Sequence, residues 1–471
     1  MAEPGSPVIA AAPQPAAASA AALKSELKVW VLVAAAALGL AGVFALLLAI
    51  SRIPGVEAVF PWPVGFFHKG LVIHVVFSFV VWFLAVFGAL AALVTPALAP
   101  AGRQPRQIFG SLGLGSLAAA GTALAMPLLF VPALLDRGEA TLNNYIPVII
   151  DPLYYAGVAL LFAAQGAVAL RLLATARGPR LSEQPATAAI AAAAVMLLLA
   201  IAAFGLALSF QGGAAPSHAF NEELFWGGGH VLQFMNTALL IGAWILLAAA
   251  LPGGQAPSGL MLLLALALLL FSVLPAPLFY FVFEPFSAAH AEAFTLLQYA
   301  LGPPALLAAA AVMQTLPRPW PWRQPAFLCL ALSILLFVVG GFLGLFVDGT
   351  DTRTPAHYHG VIAAVTLAFM GLFYVSFLPR LGCRPPPERW QRRQINLFAW
   401  GQLVACLGLF AAGGHGAPRK VAGAAQGLDG LIPVIGLGMN GLGGLIAVIG
   451  GVIFVVLVLA ALVRGGVKAL P

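Results

Sequence analysis

Apolar residues run along this chain in blocks, not in alternation. Twelve near-continuous apolar segments lie at about 30–50, 70–95, 107–133, 145–171, 186–210, 222–250, 258–283, 291–315, 325–347, 356–379, 395–413 and 440–463. Each approaches the ~20 residues that an α-helix needs to cross the hydrocarbon of a bilayer. Pro and Gly interrupt several of them, which membrane helices tolerate where neighbours re-satisfy the backbone. The pattern predicts an all-α polytopic membrane protein: a single twelve-helix transmembrane domain over 28–465, preceded by an Ala/Pro-rich tail over 1–27. The tail has no charged run leading into a short apolar core, so it reads as a disordered cytoplasmic segment and not as a signal peptide.

Composition agrees and removes several function classes. The 471 residues are 62% hydrophobic and 8% charged, with a mean hydropathy of +1.02. So few charges do not solvate a globular surface of this size. The net charge of +7 does not point to nucleic acid, because of where the cations fall. With the N-terminus placed in the cytoplasm, sixteen Lys and Arg lie on that side and six on the other. This positive-inside bias places both termini in the cytoplasm, and a bacterial inner membrane is the expected location. The basic positions, Arg171 among them, read as solvated membrane anchors. Cys329, Cys383 and Cys406 form no CxxC pair, so neither a disulfide framework nor a zinc site is expected.

The histidines carry the chemistry. On this topology all eight fall on the outer side. His68 and His74 are at the outer end of the second segment, His218 precedes the sixth, and His290 lies in the loop between the seventh and eighth. His230 sits eight residues into the sixth, about 12 Å deep at 1.5 Å per residue. His357 and His359 open the tenth, in DTRTPAHYHGVIAAVTLAFMGLF (351–373), and His415 follows the eleventh. Two residues along a helix is a rotation of roughly 200°, so His357 and His359 point to nearly opposite sides and can serve two separate metal centres. Ionisable side chains inside a membrane segment are functional candidates by default. His74, alone in GLVIHVVFSFVVWF, reads equally as a helix–helix hydrogen bond or as half of a bis-imidazole site. The glycines of NEELFWGGGHVLQFMN admit either a haem plane or a neighbouring helix close to the backbone.

These stretches resemble the catalytic subunit of the haem–copper oxidases over residues 28 to about 465. HYHGVIAAVTLAFMG is similar to that family's tenth helix, LFWGGGH to its LFWxxGH on the sixth, and HGAPRK to the loop after the eleventh that carries a basic pair. The resemblance implies that His74 and His359 ligate a low-spin haem and His357 a high-spin haem with an open position. It also implies that His230 ligates a second metal facing that haem, and that Arg419 and Lys420 neutralise haem propionates.

This chain departs from the family's pattern in three places. The family has two adjacent histidines after the seventh helix, whereas AAHAEAF offers His290 followed by Ala291. The second metal, copper or iron, then has His230 and His290 and a vacancy for which Glu284 or Glu292 are candidates; a carboxylate favours iron. Leu232 and Phe234 stand where one branch of the family has Glu and Tyr, leaving Tyr280 as the candidate redox tyrosine or, equally, an interfacial aromatic. Proton routes are thin: the eighth segment has no Lys, and the loop PALAPAGRQPRQ has no acid. Gln165, Gln233, Asn236, Gln298 and Gln402 support water chains or bridge helices. Asn221, Glu222 and Glu223 read as a proton exit, a metal site or a solvated cap.

The resemblance implies a terminal respiratory oxidase. Electrons from cytochrome c, soluble or on a partner subunit, pass through the low-spin haem to the high-spin haem and second metal, where O2 is reduced to water. No CxxCH is present in this chain, so the donor haem lies elsewhere, and other oxidase subunits are expected in the bilayer. A nitric oxide reductase with non-haem iron and a haem-binding member without catalysis are the alternatives. A twelve-helix transporter is the reading from another class, and it requires a midplane site and internal repeats.

Overall fold

The computed structural model describes residues 17–51, 66–98, 111–176, 184–253, 259–347, 349–421 and 426–467. Among them twelve helices are long and apolar enough to span a membrane: α1 (Ala21–Leu48), α2 (Phe67–Thr95), α3 (Gly113–Leu134), α4 (Pro152–Thr175), α5 (Pro185–Phe210) and α6 (His218–Ala249), followed by α7 (Gly259–Val282), α8 (Ala288–Gln314), α9 (Pro325–Gly344), α10 (Arg353–Arg380), α11 (Glu388–Gly413) and α12 (Leu431–Gly465). The expected count is met. The loop PALAPAGRQPRQ beyond Leu98, and Arg52, Arg103, Arg106, Arg177, Arg180 and Lys468 of the charge count, lie outside the described residues.

The chain divides into two compact units. One holds the described residues up to Ala34 together with Val80–Arg318; the other holds Ala35–Phe79 and the described residues from Pro319 on. In the first, α3 packs on α4 and α5 on α6; in the second, α9 packs on α10 and α11 on α12. The helices bearing His74, His230 and the His357/His359 pair are the most buried of the twelve, with 78%, 94% and 83% of their most apolar stretch enclosed and no other above 56%. Lipid-facing helices gain nothing by hiding apolar atoms from an apolar solvent, so burial here marks helices enclosed by protein.

Four expectations change. Residues 1–16 lie outside the described residues, but the tail expected to be disordered is helical from Ala17 on. The alanine run has the highest helix propensity of any residue, and Glu26 is drawn into a buried contact. Arg171 is its partner and no solvated anchor: its guanidinium donates to both Glu26 oxygens, NH1 to Oε2 at 2.8 Å and NH2 to Oε1 at 2.6 Å, with the two side chains 2% and 0% exposed. The fourth segment begins later than expected because a two-stranded antiparallel hairpin, β1 (Ala140–Thr141) and β2 (Val148–Ile149), precedes it. His290 and His218 lie in first helical turns, not in loops. Ser287 and Ser217 cap those turns by accepting hydrogen bonds from His290 N and Phe220 N, which starts each helix a few residues early.

Candidate functional site

In the second unit, α9 and α10 cross where both have glycine. A Cβ on Gly340 would lie 2.6 Å from Val361 N and 2.9 Å from Gly360 Cα, and one on Gly344 would lie 2.5 Å from His357 Nδ1. This close approach brings the Gly340 carbonyl to 2.8 Å from His357 Nδ1. A carbonyl only accepts, so Nδ1 carries the proton and Nε2 keeps its lone pair, the form in which imidazole binds a metal. His74 is fixed in the same tautomer, with Nδ1 3.0 Å from the Ala41 carbonyl of α1. His359 is half-buried with its ring stacked on Tyr358, centroids 5.3 Å apart.

The basic pair is tied to the same end of α10. Pro418 forms a β-bridge with Asp351, Thr352 N donates to Ala417 O at 3.0 Å, and Asp351 holds Arg353 in an ion pair at 2.7 Å. Arg419 and Lys420 thus sit half-buried within a few residues of the chain that opens onto His357 and His359.

In the first unit, His230 is 2% exposed and its Nδ1 lies 2.7 Å from the Trp226 carbonyl one turn back. The tautomer is again fixed, and Nε2 has no hydrogen-bond partner among the described residues. Three aromatic rings surround the imidazole: Tyr145 at 4.5 Å, Trp226 at 4.7 Å and Phe294 at 5.9 Å between centroids. Gln298 Nε2 donates to the His230 carbonyl at 3.2 Å, so this glutamine bridges helices; Gln165 does likewise, donating to Thr122 Oγ1 at 3.0 Å.

The three glycines before His230 admit protein on three sides. Gly227 makes room for Tyr280 and Phe294, Gly228 for Phe204 and the Ala200 carbonyl, and Gly229 for the ring of Tyr145.

Tyr145 belongs to the β1–β2 hairpin, which sequence reasoning missed. Its φ is +65°, in the left-handed region that a bulky side chain enters only when its surroundings compel it. Glu222 compels it: the carboxylate accepts from Asn144 N at 2.8 Å and from Asn144 Nδ2 at 2.5 Å. Asn221 donates to Thr141 Oγ1 at 3.0 Å and accepts from Tyr155 OH at 2.9 Å. Glu222 is therefore a clamp on the hairpin and not a solvated cap. Burial, and secondarily the Glu222 charge, push the Tyr145 hydroxyl well above its ordinary acidity range. The NN dipeptide before Tyr145, in the gap between the third and fourth apolar segments, was an available signal of a turn.

His290 is buried beside Tyr280 and Phe294, with ring centroids 4.6 and 5.1 Å away. Its Nε2 and the Tyr280 hydroxyl are both buried without a hydrogen-bond partner among the described residues. A buried polar atom left unsatisfied costs roughly 1–3 kcal/mol, so this pair fits a group that binds there. Tyr280, 1% exposed, is no interfacial aromatic. Phe294 packs on both His230 and His290. Among the described residues no three His, Cys, Asp or Glu side chains gather as a metal cluster. Glu284 and Glu292 are exposed and do not fill the vacancy. The Ala291 carbonyl accepts from Trp226 Nε1 at 3.2 Å, so where the family has its second histidine this chain uses only backbone. His68, His218 and His415 are exposed.

The donor set fits the expected groups as far as the nitrogens go: unprotonated Nε2 atoms on His230 and His357, an orphaned one on His290, and a basic pair near the histidine end of α10. The family model described as cytochrome c and quinol oxidase polypeptide I matches residues 27–462. An uncharacterized protein of Aquifex aeolicus is 30% identical over 363 residues, 73% of this chain and 84% of that one. An uncharacterized protein of Rickettsia prowazekii is 25% identical over 495 residues, covering 90% and 94%. The fold is similar to that of a haem–copper terminal oxidase dimer solved by cryo-electron microscopy, with a TM-score of 0.72 at 15% identity, covering 93% of this chain and 84% of that one.

Proposed function

The chain belongs to the cytochrome c and quinol oxidase polypeptide I family, and on that premise we propose that it is the catalytic subunit of a terminal oxidase that takes electrons from a c-type cytochrome and reduces O2 to water. His74 and His359 hold a low-spin haem, His357 a high-spin haem, and His230 with His290 the second metal; Arg419 and Lys420 balance the propionate charge. The enzyme works in a bacterial inner membrane with both termini in the cytoplasm, alongside other oxidase subunits.

The observation that carries this reading is the shared tautomer of His74, His230 and His357. In each, a backbone carbonyl accepts a hydrogen bond from Nδ1–H, which leaves Nε2 with the lone pair that binds a metal. When bound, a haem held by His357 and a second metal held by His230 and His290 would supply the electrons that reduce O2 without releasing partly reduced products. The protein's part is positional. The Gly340 carbonyl orients His357, the Trp226 carbonyl orients His230, and Tyr145, Trp226 and Phe294 keep water from that imidazole. Tyr280 holds a neutral hydroxyl in the same apolar cluster as His290.

A second reading, a haem-carrying electron-transfer subunit without oxygen chemistry, is favoured by Ala291 and by the exposed positions of Glu284 and Glu292. The same exposure counts against nitric oxide reduction at a carboxylate-bound iron. Oxygen uptake driven by reduced cytochrome c separates them. Turnover that is lost in His357→Ala supports the oxidase, and two haems without uptake support the electron carrier.

A further inference from the structure

The second unit contains a groove that the redox reading does not use. It has a volume of about 940 Å³ and runs between the loop before α9 and the faces of α11 and α12. Its upper part is cationic: Arg323, Arg389, Arg392 and Arg393 line it. Glu388 pairs with Arg392 at 3.3 Å, but Arg323, Arg389 and Arg393 have no carboxylate partner among the described residues. Arg393 lies over the Trp390 ring, 5.0 Å from its centroid.

Below the arginines the walls turn apolar. Arg389, Arg393, Leu397 and Trp400 recur at helical spacing along one stripe of α11, and Ile446 and Ile453 of α12 face the same groove. Arg389 to Trp400 is about 16 Å of helix at 1.5 Å per residue, close to one leaflet of a ~30 Å hydrocarbon core. Trp390, beside the arginines, is 38% exposed, as an amphipathic ring at a membrane interface is.

We propose that this groove binds an anionic phospholipid, with the phosphate on Arg389 and Arg393, the headgroup level marked by Trp390, and an acyl chain along Leu397, Ile446 and Ile453. Guanidinium groups pair with phosphate oxygens in a fixed fork, and basic pockets between membrane helices select anionic headgroups. A free anion has no use for the apolar wall, and a zwitterionic lipid gains little from unpaired arginines. Charge and depth together select an anionic diacyl lipid.

The test uses the purified full chain, stripped of lipid in detergent and titrated with phosphatidylglycerol or phosphatidylcholine carrying brominated acyl chains, which quench nearby tryptophan. Half-maximal quenching is expected at about tenfold lower phosphatidylglycerol than phosphatidylcholine, since each arginine near a lipid surface contributes appreciably to anion preference. The preference should vanish in Arg389→Gln/Arg393→Gln and survive in Arg389→Lys/Arg393→Lys. Inorganic phosphate at millimolar concentration should not compete. Equal quenching by the two lipids in the wild type overturns the proposal, and needs no variant to fold. So does full competition by phosphate, which makes this a simple anion site, or a copurifying subunit that crosslinks at Arg393→Cys while no lipid phosphorus is retained.

Discussion

The ring of Tyr145 packs on the imidazole of His230, with centroids 4.5 Å apart and planes tilted by 53°. A residue from a short hairpin between two spans thus forms one wall around the most enclosed histidine of α6. Contact this close requires Gly229, since any Cβ there collides with the tyrosine ring. Gly229→Ala should therefore lower the thermal stability of the purified protein by about 1–3 kcal/mol, the usual cost of overpacking, and reduce its second-metal content. Ala at 229 with unchanged melting and metal content would remove Tyr145 from the site.

The acidity of Tyr145 is also testable. Its folded-state hydroxyl is shifted upward, by burial first and the Glu222 charge second. The phenol form then persists through the range where an ordinary tyrosine, at about 10, ionises. Wild type and Tyr145→Phe should show the same tyrosinate absorbance up to pH ~10.5. One extra tyrosinate in the wild type below that pH would contradict the buried placement.

The glycine crossing between α9 and α10 is expected to control His357. Gly340→Ala forces the helices apart or displaces the carbonyl that holds Nδ1. Oriented ligands lose about 10–100-fold in metal affinity when their hydrogen-bonding partner is removed, so the high-spin haem should fall in occupancy while the low-spin haem persists. Equal loss of both haems points to misfolding instead.

His359→Ala should abolish the low-spin signal of the reduced protein and leave helix content unchanged, as read by far-ultraviolet circular dichroism. Persistence of both haem signals would make another residue the ligand.

The Glu26–Arg171 pair predicts a non-additive pair of substitutions. Either Glu26→Leu or Arg171→Met alone leaves a buried charge and should cost about 3–5 kcal/mol, whereas the double variant should recover most of it. Thermal unfolding in detergent gives the three values, and simple additivity would mean that the charges are hydrated.

The spans and the histidine-bearing ends were legible in the sequence because both leave local marks, a block of apolar residues and an ionisable group inside it. What sequence reading missed depends on contacts far apart in the chain. Arg171 looked like a surface anchor because its partner, Glu26, is distant in sequence. The second strand of the hairpin, Val148–Ile149, hid inside the run expected to start at 145, since buried strand and buried helix have the same composition when short. The glycines at 340 and 344, four apart on one helix face, were visible as residues, but only their meeting with Gly360 and His357 shows what they do. Tyr280 had the right type for two roles, and burial beside His290 decided against the interface.

The most direct measurement is the metal content of the purified protein together with its reduced-minus-oxidised spectrum. The account predicts two haems per chain, one low-spin and one high-spin, with a second metal that is lost on His230→Ala. A preparation that folds and carries no haem would contradict it.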